Sequence, residues 1–425
     1  MNKLRQRLAI LRSALSTARS QPTLLAVTAE GFVTRLGFSM VGFALPLFAL
    51  SLGMGVAEIG LLYALRTVTV ILVKPLMGWA ADRFGRKRTL VFAVALRCFL
   101  GLLFVFASEP WHLYAIRILH GMMSAAREPA ATALIADHGD RKTMASSFAW
   151  YSTARDLGRS LGFAAAGLII VLDQGYRGVF LVAFGTSCVA LVTVIRYVRE
   201  RPSGLPIPVP ATMRSAPAVS PAPLYRGVVG YFGFGLMVAT SAEMMVGLYP
   251  VLATQYAHLT EAQAGLAASA SSVAILVAGP LFGWISDNIG RGVGLMSRSA
   301  ANCAASLLYL AFPSFEGFTL ARVVDDSGKA AFRPTWGAML AEISESSPSH
   351  RTRLMSFVDS SYSVGEVIGP LLAGLLLGAF GFPAMLGVRA ALAVVTEIYA
   401  LRVLRHVHQP GASAAASVAA ATGAR

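Results

Sequence analysis

The stretch GWAADRFGRKR, at residues 78–88, decides how this chain is interpreted. It is a short turn rich in arginine and lysine, and it separates two apolar runs at residues 59–80 and 89–108. A related stretch, GWISDNIGR at residues 283–291, again separates two apolar runs about 205 residues later. A turn that recurs at the same place in both halves of a chain predicts an internal repeat.

The composition excludes an ordinary soluble domain. Of the 425 residues, 56% are hydrophobic and 13% are charged, whereas charged residues make up about 25% of soluble domains. Apolar runs close to the length that crosses a bilayer, about 20 residues, recur along the whole chain. We predict twelve spans, at residues 24–52, 59–80, 89–108, 112–135, 144–172 and 176–198 in the first half, and 225–254, 264–285, 292–312, 315–343, 352–379 and 382–407 in the second.

A net charge of +15 would suggest a nucleic-acid partner in a soluble protein. Here the lysines and arginines concentrate on one side of the expected membrane, so no nucleic-acid partner is expected. Basic residues concentrate in turns such as 83–88, 141–142 and 199–201, whereas the intervening turns 53–58 and 258–263 contain none. The positive-inside rule therefore predicts that both termini are cytoplasmic. We expect a multi-pass protein surrounded by lipids of the bacterial cytoplasmic (inner) membrane, or of an internal membrane derived from it.

The ends and the middle of the chain differ in composition from the spans. Residues 1–22 carry a leucine stripe opposite basic residues and predict a cytoplasmic amphipathic helix. Residues 23–198 and 225–407 are the two expected six-helix units. Residues 199–224, rich in proline and serine, predict a cytoplasmic linker, and residues 408–425 predict a disordered cytoplasmic tail.

The basic turn resembles the signature loop between the second and third helices of the major facilitator superfamily. The residues that carry this resemblance, and that we expect to act as gating loops, are Gly78, Asp82, Arg83, Gly85 and Arg86 in the first copy and Gly283, Asp287, Gly290 and Arg291 in the second. Asn288 stands where the family has an arginine. The resemblance implies an all-α membrane protein with twelve transmembrane helices in two pseudo-symmetric six-helix bundles.

Ionisable side chains inside the spans predict the functional site. Each would cost about 2.5–3.5 kcal/mol at the centre of a lipid-facing helix, so we expect them to line a wet cavity or to pair. The resemblance assigns spans one, four, seven and ten to a central cavity, in which much of this charge lies. The expected pathway for substrate and protons contains Glu30, Arg35, Arg117, Glu128, Glu243, Arg322, Asp325, Asp326, Lys329 and Arg333.

The residues Arg117 and His120 resemble the fourth-span motif of the family, whose arginine is associated with proton coupling. The candidate carboxylates that face Arg117 are Glu30 and Glu128. The alternative is that these charges are static pairs that hold the bundle together. His120 is expected to form a hydrogen bond between helices, and not to bind a metal.

Matched positions of opposite sign in the two halves suggest ion pairs within each half. Glu128 would pair with Arg155 or Arg159, and Arg333 with Asp359 or Glu366. For charged residues in the peripheral spans, namely Arg97, Arg298, Arg389 and Glu397, the sequence leaves snorkelling or local pairing open. Glycines four residues apart, Gly158 with Gly162 and Gly365 with Gly369, predict close helix packing.

The expected function is secondary active transport of a small solute by alternating access, coupled to protons in a symporter or an antiporter. The largely cationic first half favours an anionic, zwitterionic or metal-chelate substrate. No cofactor, metal site or enzymatic activity is expected, and a monomer should suffice. The alternatives are efflux of hydrophobic drugs, transport of iron or another metal, and a transporter-like scaffold or assembly factor without flux.

Overall fold

The computed structural model describes residues 22–138, 144–173, 175–200, 225–272, 275, 291–345 and 351–407. The expected amphipathic N-terminus, nearly all of the expected linker and the expected tail therefore lie outside the described residues. Within the described part, almost every residue belongs to a helix.

The first half forms the six helices that the sequence predicts. They are α1 (Pro22–Ser51), α2 (Val56–Phe84), α3 (Arg86–Phe106), α4 (Pro110–His138), α5 (Met144–Asp173) and α6 (Arg177–Tyr197). Local chemistry sets the limits of α2. At its start, Glu58 accepts a hydrogen bond of 2.7 Å from the backbone N–H of Gly55. At its end, Gly85 adopts φ 99°, which a glycine accepts without steric cost.

The second half follows the same plan with one correction. It contains α7 (Tyr225–Glu243), α8 (described at residues 261–272), α9 (Arg291–Ala311), α10 (Phe315–Glu345) and a helical stretch Arg351–Val407. Gly381, at φ 80°, breaks that stretch into α11 before it and α12 after it. The predicted continuous span 225–254 is wrong. The chain turns at Gly247, where φ is 84°, and continues as a short helix Tyr249–Val251 and a π-helical turn Leu252–Tyr256.

Five stretches of the described residues are long and apolar enough to cross a membrane by length and hydropathy alone: α1, α2, α3, α6 and Leu354–Arg402. The helices α4, α5 and α10, which carry much of the intramembrane charge, fall outside these limits. They are the helices that need partners or water for their polar side chains.

Close packing at glycine is confirmed in both halves. A methyl group at Gly158 or Gly162 of α5 would collide with the backbone of α1. One at Gly365 or Gly369 of α11 would collide with the backbone of α7. The same pair of helices is therefore drawn together in each bundle, as expected for a repeated unit.

Buried apolar side chains form three clusters, and their arrangement gives the shape of the molecule. One cluster contains residues of both halves, among them Phe48, Leu113 and Leu386. It lies towards the end of the molecule opposite the 78–88 turn. The other two, around Leu90 and around Phe332, each belong to a single half. The two bundles thus share a core at one end and have separate cores at the end of the basic turn, which we call the basic end.

Two helix pairs make the contact between the bundles. Gly60 of α2 packs against Pro370 and Gly374 of α11, and Gly167 of α5 packs against the start of α8 at Gly265. All four glycines lie away from the basic end. The expected fold, two pseudo-symmetric six-helix bundles, is confirmed, and these glycine contacts between the bundles lie away from the basic end.

Candidate functional site

A buried ion pair joins α1 and α4 inside the first bundle. Arg127 donates from Nε to Glu30 Oε1 at 2.9 Å and from Nη2 to Glu30 Oε2 at 2.8 Å. Thr34 donates to the same Oε1 at 2.7 Å. Glu30 is fully buried and Arg127 is 5% exposed. Two parallel bonds of this kind fix the geometry of both side chains.

A second, more exposed pair continues this network. Arg155 of α5 donates to both oxygens of Glu128, at 2.7 and 3.2 Å, and Arg127 reaches Glu128 Oε1 at 3.5 Å. The side chain of Glu128 is 44% exposed although it lies well inside α4. Of the two expected partners of Glu128, Arg155 is confirmed. Arg159 instead lies 3.7 Å from Asp156.

Arg66 of α2 lies where charges of both halves meet. It interacts electrostatically with Glu128 of the first half and with Glu243 and Glu366 of the second. Its Nε is buried and has no hydrogen-bond partner among the described residues. We call the space between the bundles, bordered by Arg66, Glu128, Glu366 and by Asp326 described next, the central cleft.

The carboxylate of Asp326 occupies the opposite side of the central cleft. Ser271 of α8 donates to its Oδ2 at 2.6 Å, and Arg322 lies 3.5 Å from the same oxygen. Arg159 of the first half and Lys329 also interact with it electrostatically. Next to this contact, the Ser160 hydroxyl of α5 lies 3.0 Å from the Ser269 carbonyl, within hydrogen-bond distance across the bundles.

Two electrostatic interactions across the central cleft are related by the internal repeat. Arg66 and Ser271 are matched positions of the two halves, and so are Arg159 and Glu366. In the first, Arg66 interacts with Glu366; in the second, Arg159 interacts with the Asp326 carboxylate that Ser271 holds. In both, an arginine of the first half is attracted by a carboxylate of the second half.

The structure corrects the expected surroundings of Arg117. Its Nε donates to the Leu62 carbonyl at 2.9 Å, and its guanidinium lies 4.4 Å from the centre of the Tyr63 ring. Glu30 is bound by Arg127 instead. The matched Arg322 has a similar place, 4.8 Å from the centre of the Tyr249 ring. An arginine stacked on a tyrosine is thus part of the repeat.

The structure also differs from the expected placement of Asp325 in the pathway. It does not share a face with Arg322 but points into the second bundle, where it is 2% exposed. Its Oδ1 accepts hydrogen bonds from Arg298 of α9 at 3.2 Å and from Arg389 of α12 at 2.9 Å. Local pairing, and not snorkelling, therefore explains these two peripheral arginines. We assign Asp325 a structural role.

The other expected pathway residues lie as follows. Arg35 is half-buried beside Phe38 and interacts electrostatically with Glu128. It therefore belongs to the side of the central cleft that the first half forms, which we call the first-half wall. Glu243 ends α7 and is 8% exposed. Lys329 is half-buried on α10 near Asp326. The side chain of Arg333 lies outside the described residues, so its expected pairing with Asp359 or Glu366 stays a prediction.

The first gating loop packs against other helices of its own bundle. Arg86 forms an ion pair with Asp137 at the end of α4, and Lys87 donates to the Ile195 carbonyl of α6 at 3.2 Å. Arg83 lies 5.4 Å from the centre of the Trp79 ring, and Asp82 is exposed. A methyl group at Gly78 would meet no described atom within 4 Å, so the expected close approach there stays a prediction. In the second copy, Gly283, Asp287, Gly290 and the side chain of Arg291 lie outside the described residues.

Several residues of the central cleft were missing from the expected pathway. They are Arg66, Arg127, Arg155, Arg159, Ser271 and Glu366. The five charged ones could be recognised as intramembrane charges, and Arg155 could be proposed as a partner of Glu128, but the other partners on different helices could not be read from spacing along one helix. Among the described residues, no three His, Cys, Asp or Glu side chains are grouped as metal ligands.

Two helical bundles related by a parallel repeat, around a charged cleft, are the plan of a class of secondary transporters. A sequence model of the Major Facilitator Superfamily matches residues 31–249 and again residues 227–422. The chain belongs to this superfamily. It is an integral membrane transporter of small molecules, and its family consists of transporters and not of enzymes.

Comparison with individual proteins agrees with this assignment. The chain is 26% identical to the multidrug resistance protein MdtG of Salmonella paratyphi A over 386 residues, which cover 88% of this chain and 93% of that relative. Among solved structures it resembles the nucleoside transporter NupG, with a TM-score of 0.69, 12% identity and coverage of 90% and 98%. It also resembles a bacterial homologue of the human lysosomal transporter Spinster, in an inward-facing and occupied conformation, with a TM-score of 0.67, 16% identity and coverage of 90% and 96%. At these identities the two structures share the fold.

Proposed function

We propose that this protein moves a small charged solute across the bacterial cytoplasmic membrane by alternating access, with protons as the coupling ion. The observation that carries the proposal is the 44% exposure of the Glu128 side chain at membrane depth, close to Arg66 and the carboxylates of the other bundle. A carboxylate so placed needs water, and water at this depth is a transport pathway by default.

The charges on the two walls of the central cleft favour a zwitterionic or anionic solute. The first-half wall carries an excess of arginine, including Arg35, Arg66 and Arg159. The second-half wall presents Glu243, Asp326 and Glu366. A zwitterionic solute could bind the arginines of the first-half wall with its negative group and the carboxylates of the second-half wall with its positive group. An anion could bind the arginines of the first-half wall alone. Opposite charges that come within about 4–6 Å stabilise each other.

The orientation follows from the positive-inside rule. That rule puts the basic end in the cytoplasm, so the described conformation would be open to the inside and closed outside. The outward-open state would then separate Gly60 from Gly374 and bring the basic ends of the bundles together.

Glu128 is the better proton carrier of the two expected carboxylates. Glu30 is fully buried and its two oxygens accept three hydrogen bonds. Glu128 is exposed to the cleft and is held mainly by Arg155. Protonation of Glu128 would remove the negative charge that holds Arg155, and the freed guanidinium could then bind an anionic group of the solute.

A second candidate function is efflux of amphipathic drugs. It is favoured by the relatives, which are named multidrug resistance proteins and align with 88% of this chain. Such substrates would bind mainly through contacts with apolar side chains of the cleft wall, and less through its arginines. Replacing Arg66 should then leave drug export largely intact, whereas transport of an anionic or zwitterionic solute should be lost.

The test is flux into proteoliposomes under an imposed pH gradient, with a panel of amino acids, small carboxylates, nucleosides and lipophilic cations. We expect a gradient-dependent flux of at least one charged solute, and its loss in Glu128→Gln. Glu109→Gln, in an exposed turn away from the cleft, serves as the matched control. If no solute moves in well-folded protein, a scaffold role is favoured. If flux is gradient-independent, proton coupling is wrong.

A further inference from the structure

A small cavity lined by apolar residues and a few polar ones lies inside the first bundle, away from the central cleft. It has a volume of about 20 Å³, and its lining includes Phe38, Arg97, His120 and Ser187 together with apolar side chains. These residues come from α1, α3, α4 and α6 respectively. A space of this size accommodates one small particle such as a water molecule or a monatomic ion.

Cationic groups surround the Phe38 ring at the wall of this cavity. The guanidinium carbons of Arg35, Arg66 and Arg97 lie 5.2, 5.5 and 5.6 Å from the ring centre. The His120 ring packs edge-on against Phe38, with 4.9 Å between ring centres. Arg117 is also close enough to His120 to interact with it electrostatically. Positive charge is therefore concentrated around one aromatic side chain.

Several donors at this place have no acceptor. His120 is 5% exposed, yet neither ring nitrogen has a hydrogen-bond partner among the described residues. The same is true of Nη2 of Arg117, which is 3% exposed. This corrects the expectation that His120 joins two helices by a hydrogen bond. Leaving buried donors unsatisfied costs about 1–3 kcal/mol each, and more for charged groups.

No carboxylate is available to satisfy these donors. Arg97, at 6% exposure, donates from Nε to the Ser187 hydroxyl at 3.1 Å, and that hydroxyl donates onward to the Ala183 carbonyl. Glu30 interacts with Arg97 electrostatically, but both of its oxygens already accept hydrogen bonds from Arg127. The lining of the cavity contains no acidic residue.

We propose that this cavity is a binding site for a monatomic anion such as chloride, held by Arg97 and an N–H of His120. An anion accepts hydrogen bonds from every direction, and it would offset part of the positive charge of the arginines gathered around Phe38. The site lies within one bundle and its role is to stabilise that bundle. The proposal does not depend on which solute the central cleft carries.

The experiment compares the thermal unfolding of the purified full-length protein in detergent with chloride and with gluconate at equal ionic strength. Gluconate is too large for the cavity. We expect chloride to raise Tm saturably, by roughly 2–4 °C. Arg97→Gln should lose this difference, whereas Arg83→Gln, which removes an arginine at the basic end, should keep it. Equal Tm in the two salts would mean that water fills the cavity, and the proposal would fail.

A second variant and a direct measurement guard against a folding defect in Arg97→Gln. His120→Phe fills the cavity with an apolar ring of similar shape, and we expect it to fold and to lose the chloride effect. Crystals soaked in bromide should show an anomalous peak between Arg97 and His120. An unchanged chloride response in His120→Phe would overturn the proposal, as would bromide only at surface positions.

Discussion

Arg389 of α12 donates a hydrogen bond of 2.9 Å to Asp325 of α10, and neither side chain is more than 3% exposed. Arg298 of α9 donates to the same oxygen at 3.2 Å. Further bonds from Arg389 to the Ser241 carbonyl, to Asn302 and to the Ser306 hydroxyl satisfy the remaining donors of this arginine. One carboxylate therefore links three helices at the centre of the second bundle.

Replacement of Asp325 should destabilise the protein strongly. Asp325→Asn leaves two buried guanidiniums without their counter-ion, and we expect the free energy of unfolding to fall by about 3–5 kcal/mol. The measurement is unfolding of the purified protein in mixed micelles. Asp359→Asn, at an exposed position of α11, is the control and should change the stability little. Normal stability with lost flux would instead return Asp325 to the transport pathway.

The contributions of Glu30 and Arg127 to the free energy of unfolding should depend on each other. Each single substitution, Glu30→Gln or Arg127→Gln, removes the bidentate partner of a buried charge, and should cost about 3–5 kcal/mol of unfolding free energy. The double variant leaves two neutral amides that can bond each other, so it should be more stable than either single variant. A double-mutant cycle with all four proteins gives the coupling energy. Additive losses would contradict a direct pair.

Reversal of one charge across the central cleft should stop transport, and reversal of both should restore part of it. Arg66→Glu puts a third negative charge next to Glu243 and Glu366, so the bundles should repel each other at this level. Adding Glu366→Arg re-creates an attractive pair. Initial flux rates of the three proteins in proteoliposomes test this. Lys74→Glu is the control, because Lys74 is exposed further along the same helix. Equal loss in the single and double variants would argue against the contact.

The architecture could be predicted from the sequence because it depends on local patterns. The recurrence of the 78–88 turn at 283–291 and the glycine pairs at 158–162 and 365–369 are each visible within a short window. The break of the seventh span was missed, since Gly247 stands within a largely apolar run and its positive φ, which marks the turn, is not visible in the sequence.

The partners of the charged residues could not be predicted in the same way. The helical period indicates which residues share a face of one helix, but it does not give the rotation of that helix against its neighbours. Asp325 and Asp326 are adjacent, yet one binds Arg389 in the bundle and the other faces the central cleft. The partner of Glu30 was likewise taken to be Arg117 when it is Arg127, ten residues further along the same helix.

Close packing at Gly60 should be needed to close the end of the molecule opposite the basic turn. A methyl group at this position would overlap the Pro370 carbonyl and lie 3.3 Å from Gly374 Cα. We therefore expect Gly60→Ala to disfavour the described conformation by about 1–3 kcal/mol, the usual cost of overpacking. Flux should fall. A cysteine at Leu248, which is 1% exposed in the shared core, should be labelled several-fold faster by a polar maleimide.

The matched control for this variant is Gly378→Ala on α11. A methyl group there would meet Val56 at 3.5 Å and Ala57 at 4.0 Å, which is ordinary van der Waals contact. It lies on the same helix pair but demands no displacement, so labelling and flux should remain near the values of the unmodified protein. The three native cysteines, Cys98, Cys188 and Cys303, are replaced beforehand so that the reporter alone is read. Equal effects of the two alanines would mean that the contact at Gly60 does not control closure.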